Sequence, residues 1–168
     1  RVELHWDAGG LIRVVDSVGR IITVERAGER IAGLVVESAP FPGQRHLAAR
    51  YLHDEHGCLV AATDAAGATT RYIYDSEHYL LSETPPDGLT FHFVYDHLHR
   101  CIESWANYGD APDPSLDVDV PELLADGITR AKGVHHIRID FAAEGYIEVA
   151  DSRQVKRVFT NEDDTADK

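Results

Sequence analysis

Methionine is absent from the 168 residues. Residue 1 is therefore not a translation start, and the chain reads as an excised or processed piece of something longer. Cysteine is nearly absent too: Cys58 and Cys101 give neither a disulfide framework nor a zinc spacing. Basic residues are few, 16 against 29 acidic ones. The net charge of -13 argues against a nucleic-acid or anionic-membrane surface, because both need basic patches. No apolar run approaches the roughly 20 residues of a membrane span. The opening RVELHWDAGG lacks the apolar stretch of a signal peptide. A Gly-rich phosphate loop, a serine nucleophile elbow and a paired-carboxylate signature are missing as well. Apolar content is ordinary, which excludes general disorder.

What is present is a ruler. Asp54, Asp75 and Asp96 stand 21 residues apart, and Tyr74 and Tyr95 precede two of them. Three residues after each aspartate come Gly57, His78 and His99; five residues after come Leu59, Leu80 and Cys101. Between these anchors Asp64 is followed by Gly67, and Gly88 precedes Asp96 by eight residues. The N-terminal region repeats the figure with Asp7 and Gly10, then Asp16 and Gly19. Near the end, Phe141-Ala142 leads to Gly145, Ile147 and Asp151.

Asp-x-x-Gly is turn chemistry. The carboxylate accepts hydrogen bonds from backbone N–H groups just ahead of it, and glycine takes the positive φ that closes a hairpin loop. Histidine tolerates that conformation better than bulky or branched residues do, so His78 and His99 fit the same slot. Between turns lie short segments rich in Val, Ile, Thr, Tyr and Phe, such as TTRYIY and LTFHFVY. They suit a pleated, half-buried surface. Alternation puts Tyr72 and Tyr74 on one face with Arg71 and Ile73 on the other, and it aligns Phe91, Phe93 and Tyr95. Each repeat is thus one β-hairpin, and the expected fold is all-β: a curved antiparallel sheet of hairpins paired edge to edge.

The pattern x-Y-x-Y-D-x-x-G-x-L resembles the YD repeat of the RHS (rearrangement hot spot) family. It reads here as RYLHDEHGCL, RYIYDSEHYLL and FVYDHLHRCI, with weaker echoes in LHWDAGGLI and DFAAEGYIEV. The family includes bacterial polymorphic toxins, Tc-toxin shell components and teneurins. The resemblance implies a strip of hairpins forming part of a hollow shell that holds a C-terminal toxin. It implies as partners the remaining RHS repeats of the same or another chain, the enclosed toxin domain, and a secretion spike protein or chaperone. It also implies a secreted or cell-surface-delivered bacterial effector, through a route such as type VI secretion, acting in bacterial competition. The family's D-P-x-G-L cleavage motif is matched poorly by DPSLD at 113–117, so no cleavage residues carry over. Ten to twelve strands at roughly 4.8 Å spacing make a strip about 50–60 Å wide. That is too narrow to encircle a toxin domain, so the chain is a wall segment with neighbours at its edges.

The organisation expected is hairpin repeats over 1–105, a Pro- and acid-rich insertion over 106–133, a further hairpin over 134–160 and an acidic tail over 161–168. Within the insertion DVPELLADG fits a short helix, with Asp119 as cap, Pro121 in the first turn and Gly127 as terminator. The insertion reads as a surface excursion, or more sharply as a lid or plug. Ten histidines raise a metal reading through His92, His97, His99, His135 and His136, with Asp96 or His53 as added ligands. Cys58 with His56 raises a thiol reading. Repeat register accounts for most of these residues, so neither enzymatic activity nor a cofactor or metal is expected. A carbohydrate-binding surface module is the alternative: solvent-facing aromatics would favour it, and aromatics stacked between hairpins would favour the wall.

Overall fold

The computed structural model describes residues 1–37, 43–109, 111, 123, 125, 127–128, 136–143, 146–151 and 156–160. It divides into two compact units, Arg1–His78 and Tyr79–Lys168. Both are all-β and antiparallel.

The first unit contains β1 (Glu3–Asp7), β2 (Gly10–Val15), β3 (Ile21–Ala27), β4 (Arg30–Glu37), β5 (Arg45–His53), β6 (Leu59–Asp64) and β7 (Thr69–Tyr74). Each strand pairs with the next in sequence. The register aligns an apolar row of Leu4, Val14, Ile22 and Val36 across four strands. A second row joins Val24, Leu34 and Ala49. Bulges interrupt the ladders at His5/Trp6, Glu25/Arg26, Leu34/Val35 and Leu52/His53. Each adds a residue on one strand and so bends it and increases its twist.

The second unit contains β8 (Leu80–Thr84), β9 (Thr90–Tyr95), β10 (Cys101–Asn107), β11 (His136–Ala143), β12 (Tyr146–Asp151) and β13 (Lys156–Thr160). Again the ladder follows sequence order. Strand β10 runs to Asn107, two residues past the end expected for the repeats at 105, because Ala106 pairs with Phe91 and is fully buried. The helix expected at 119–127 lies, apart from Leu123, Ala125 and Gly127, outside the described residues. Strands β10 and β11, which flank the insertion, are tied directly: His136 Nε2 lies 2.8 Å from Glu103 Oε1, with His136 only 3% exposed. His92 stacks on Trp105 at 4.9 Å in the same cross-strand row.

Within each unit, strands touch only their ladder neighbours. The sheet is therefore a single layer, with no second layer over either face among the described residues. The consequence shows in burial. Val24, Val35 and Ala106 are the buried apolar residues of the described chain, and no large side chain is fully buried.

Candidate functional site

The repeating turn is the smallest unit of the site. At 16–20 the Gly19 N–H donates to the Asp16 carbonyl at 3.1 Å, and the Asp16 N–H to the Arg20 carbonyl at 3.0 Å. The same two bonds recur at 54–58, 64–68 and 96–100. This is a type I turn closed by a left-handed residue, the three-residue hairpin loop with a bulge. The aspartate side chain completes it from inside. Asp64 Oδ1 accepts from the N–H groups of Ala66 (2.8 Å) and Ala68 (2.9 Å). Asp96 Oδ1 accepts likewise from Leu98 and Arg100, Asp16 Oδ1 from Val18 and Arg20, and Asp54 Oδ1 from Cys58.

These bonds stabilise the charged carboxylate. The Arg100 N–H and guanidinium hold Asp96 down to about 2. The Arg20 side chain is the main cause of the lowering at Asp16. At Asp54 partial burial pushes upward, but the N–H groups of Cys58, Gly57 and His56 prevail and hold it below the usual carboxylate range.

The slot three residues on has positive φ throughout: 81° at Gly19, 91° at Gly57, 86° at Gly67, and 70° and 63° at His78 and His99. Gly88 reaches 86° in a different way. Its N–H donates to the Pro85 carbonyl, so proline stands where the other turns have aspartate, and Asp87 instead accepts from Leu89. Asp7 ends β1 opposite Gly10 and accepts from Gly9 at 2.7 Å. Tyr74 and Tyr95 are the last residues of β7 and β9, each just before a turn-opening Asp75 or Asp96. Asp75 accepts from the Glu77 N–H, and its carbonyl accepts from His78. Asp151 closes β12 opposite Ile137, while Gly145 lies outside the described residues.

One feature of the ruler is not apparent from the aspartates. Thr63 and Thr69 face each other across the 64–68 turn with hydroxyls 2.9 Å apart, and Thr84 and Thr90 do the same, 21 residues on. Cross-strand threonine pairs of this kind contribute about 0.2–1 kcal/mol each. The signal was available as a Thr-x5-Thr spacing, hidden because threonine is common in any strand.

The first unit also holds a cleft of about 570 Å³, lined in part by Asp54, His56, Cys58, Tyr72, Asp75 and His78. The thiol pairs here with His78, not with the neighbouring His56: Cys58 Sγ is 3.0 Å from His78 Nδ1. The cross-repeat contact wins because the slot after Asp75 projects its side chain back over the preceding hairpin. Burial pushes the Cys58 thiol up, the Asp54 charge adds to this, and Arg30 opposes it. The histidines considered for a metal have other partners. His99 stacks flat on Tyr79 at 4.8 Å, His92 is hydrogen-bonded to Asn107, and His135 lies outside the described residues. Among the described residues no three metal-ligating side chains converge.

Residues 53–90 match the family model described as RHS Repeat. The matched segment, similar to an RHS repeat, spans the turns opened by Asp54, Asp64 and Asp75 and the Gly88 turn. No curated protein matches the chain. Among solved structures it is similar to the crystal structure of TcdB2-TccC3 without the hypervariable C-terminal region: 12% identity and a TM-score of 0.44, over 95% of this chain and 9% of that one. Similarity extends to the crystal structure of TcdB2-TccC3 (12% identity, TM-score 0.36, 89% and 10% covered). It extends also to the Photorhabdus luminescens Tc holotoxin pore (12% identity, TM-score 0.30, 90% and 11% covered). The chain thus spans about a tenth of the length of these structures.

Proposed function

We propose that this chain is a structural wall segment of an RHS-type shell that encloses a C-terminal toxin or effector domain during delivery to a competitor or host cell. The observation that carries the reading is the single-layer sheet, built from one recurring hairpin. A strip of this kind grows by adding hairpins, and its faces remain uncovered until something packs on them. Among the described residues the few buried apolar side chains fall short of a core. Further repeats at the sheet edges, and a cargo against one face, would supply the missing contacts. The mechanism is containment, and it asks no side chain to react. Delivery would end at a secreted or cell-surface-delivered effector, with a spike protein or chaperone as an additional partner.

Aromatic placement in the second unit favours the wall over carbohydrate binding, although Trp6 in the first unit faces solvent. In the second unit Tyr79 packs on Tyr95 at 5.2 Å and on His99, and the Tyr95 hydroxyl donates to the Leu80 carbonyl. Rings engaged with each other across hairpins are not presented to a sugar. Limited proteolysis of the longer parent protein tests the reading. The region beyond the repeats should resist protease in the parent and become labile when Asp54 and Asp75 are both changed to Ala. A cargo region cleaved equally fast in both would overturn it.

A further inference from the structure

The cleft at the turn ends of β5, β6 and β7 has a feature that containment does not require. His78 occupies a left-handed slot that glycine fills without strain elsewhere in the chain. The equivalent His99 has an ordinary packing reason to be there, since its ring lies nearly parallel to Tyr79, with 9° between planes. Tyr79 precedes His99 by 20 residues, and the residue 20 before His78 is Cys58. The same projection that gives a ring-on-ring stack in one hairpin therefore brings an imidazole nitrogen to a thiol in the other. A second imidazole is close: the His56 ring centre is 5.9 Å from that of His78, with planes tilted by 60°. The His56 side chain is 67% exposed and so has room to rotate.

We propose that Cys58 and His78, with His56 rotating in as third ligand, bind a borderline-soft divalent cation of the zinc class. Zinc takes thiolate sulfur at about 2.3 Å and imidazole nitrogen at about 2.0–2.1 Å in a tetrahedral arrangement. Two such ligands are then roughly 3.5 Å apart. The Cys58–His78 pair, at 3.0 Å, needs to open by only about half an ångström. The proton shared between sulfur and nitrogen leaves for solvent, bonds form from the metal to Sγ and Nδ1, and no group changes oxidation state. Water takes the fourth place. Asp54 and Asp75, which line the same cleft, add negative charge that favours a cation there. Because no three ligands converge as the side chains stand, binding requires His56 to move, and the site is adaptable rather than preformed.

The test uses the full reduced chain titrated with Co(II) as spectroscopic probe, then with Zn(II) as competitor. The expected result is a sulfur-to-cobalt charge-transfer band saturating at one equivalent, with proton release, displaced by Zn(II). Cys58→Ser should abolish the band. His78→Gly, which the positive-φ slot accommodates, should weaken binding at least tenfold while leaving the urea melt of the chain no less stable. His56→Asn should weaken it less, and His99→Gly should leave it unchanged. Absence of the band in the parent, its survival in Cys58→Ser, or an unchanged affinity in His78→Gly would each overturn the proposal.

Discussion

The glycine turns and the histidine turns solve one geometric problem at different cost. Gly57 and Gly67 reach positive φ with no side chain to strain, and His78 and His99 reach it with one. The glycine turns are therefore cheap and silent. The histidine turns trade conformational ease for a side chain that reaches the preceding hairpin, to Cys58 in one case and Tyr79 in the other. The slot is defined by backbone conformation, and its occupant decides whether neighbouring hairpins are joined by the ladder alone or also by a side-chain contact.

The largest effect should come from forcing a branched residue into a glycine turn. Gly57→Val should cost about 1–3 kcal/mol in a urea melt, since β-branched residues are strained at positive φ. The Arg30 guanidinium also occupies the space a Cβ would enter, so Gly57→Val should cost more than the same change at Gly67, where that space is open. Equal costs at the two positions would show that Arg30 moves aside freely.

Acid should distinguish the turns next. Asp16, Asp54 and Asp96 all have folded values below the ordinary carboxylate range. A group depressed on folding stabilises above its unfolded value, near 3.9, and loses that contribution as pH falls through the folded one. The urea midpoint should hold from neutral pH down to about pH 4 and then fall. The part due to Asp96 should persist until about pH 2. Asp96→Asn should remove the lowest-pH part of that loss; an unchanged pH profile would place the stabilisation elsewhere.

The smallest effect separates the two histidines. His78→Gly should be neutral or stabilising by up to about 1 kcal/mol, because it relieves a strained slot. In His99→Gly the same relief is offset by loss of the stack on Tyr79, worth about 0.5–1.5 kcal/mol. His99→Gly should therefore be the less stable of the two variants in parallel melts. The reverse order would mean that the Cys58 contact holds the fold more strongly than the ring stack.

Much of this was legible because the signals were local. An Asp, a positive-φ residue three positions on and a β-rich segment between turns lie within one hairpin, and together they mark the turns from β5 to β10 except the Gly88 turn, where Pro85 replaces the aspartate. The Gly28 turn between β3 and β4 carries no aspartate, so that hairpin left no mark on the ruler. The Cys58–His78 contact was missed for the opposite reason: it joins different hairpins, and sequence proximity pointed to His56. The Glu103–His136 link spans the whole insertion and has no periodic signature. The pairing of Ala106 with Phe91 and of Asn107 with Thr90, which carries β10 beyond residue 105, has no local signal either.

Urea denaturation of Gly67→Val against the parent chain shows whether positive φ at the turns sets the hairpins. Gly67 has φ of 86° and nothing near the position of a Cβ, so only backbone conformation can respond. The midpoint should fall with an unchanged slope, a loss of about 1–3 kcal/mol. Superimposable curves would contradict it, because the Asp-x-x-Gly turns would then not be what sets the hairpins of this sheet.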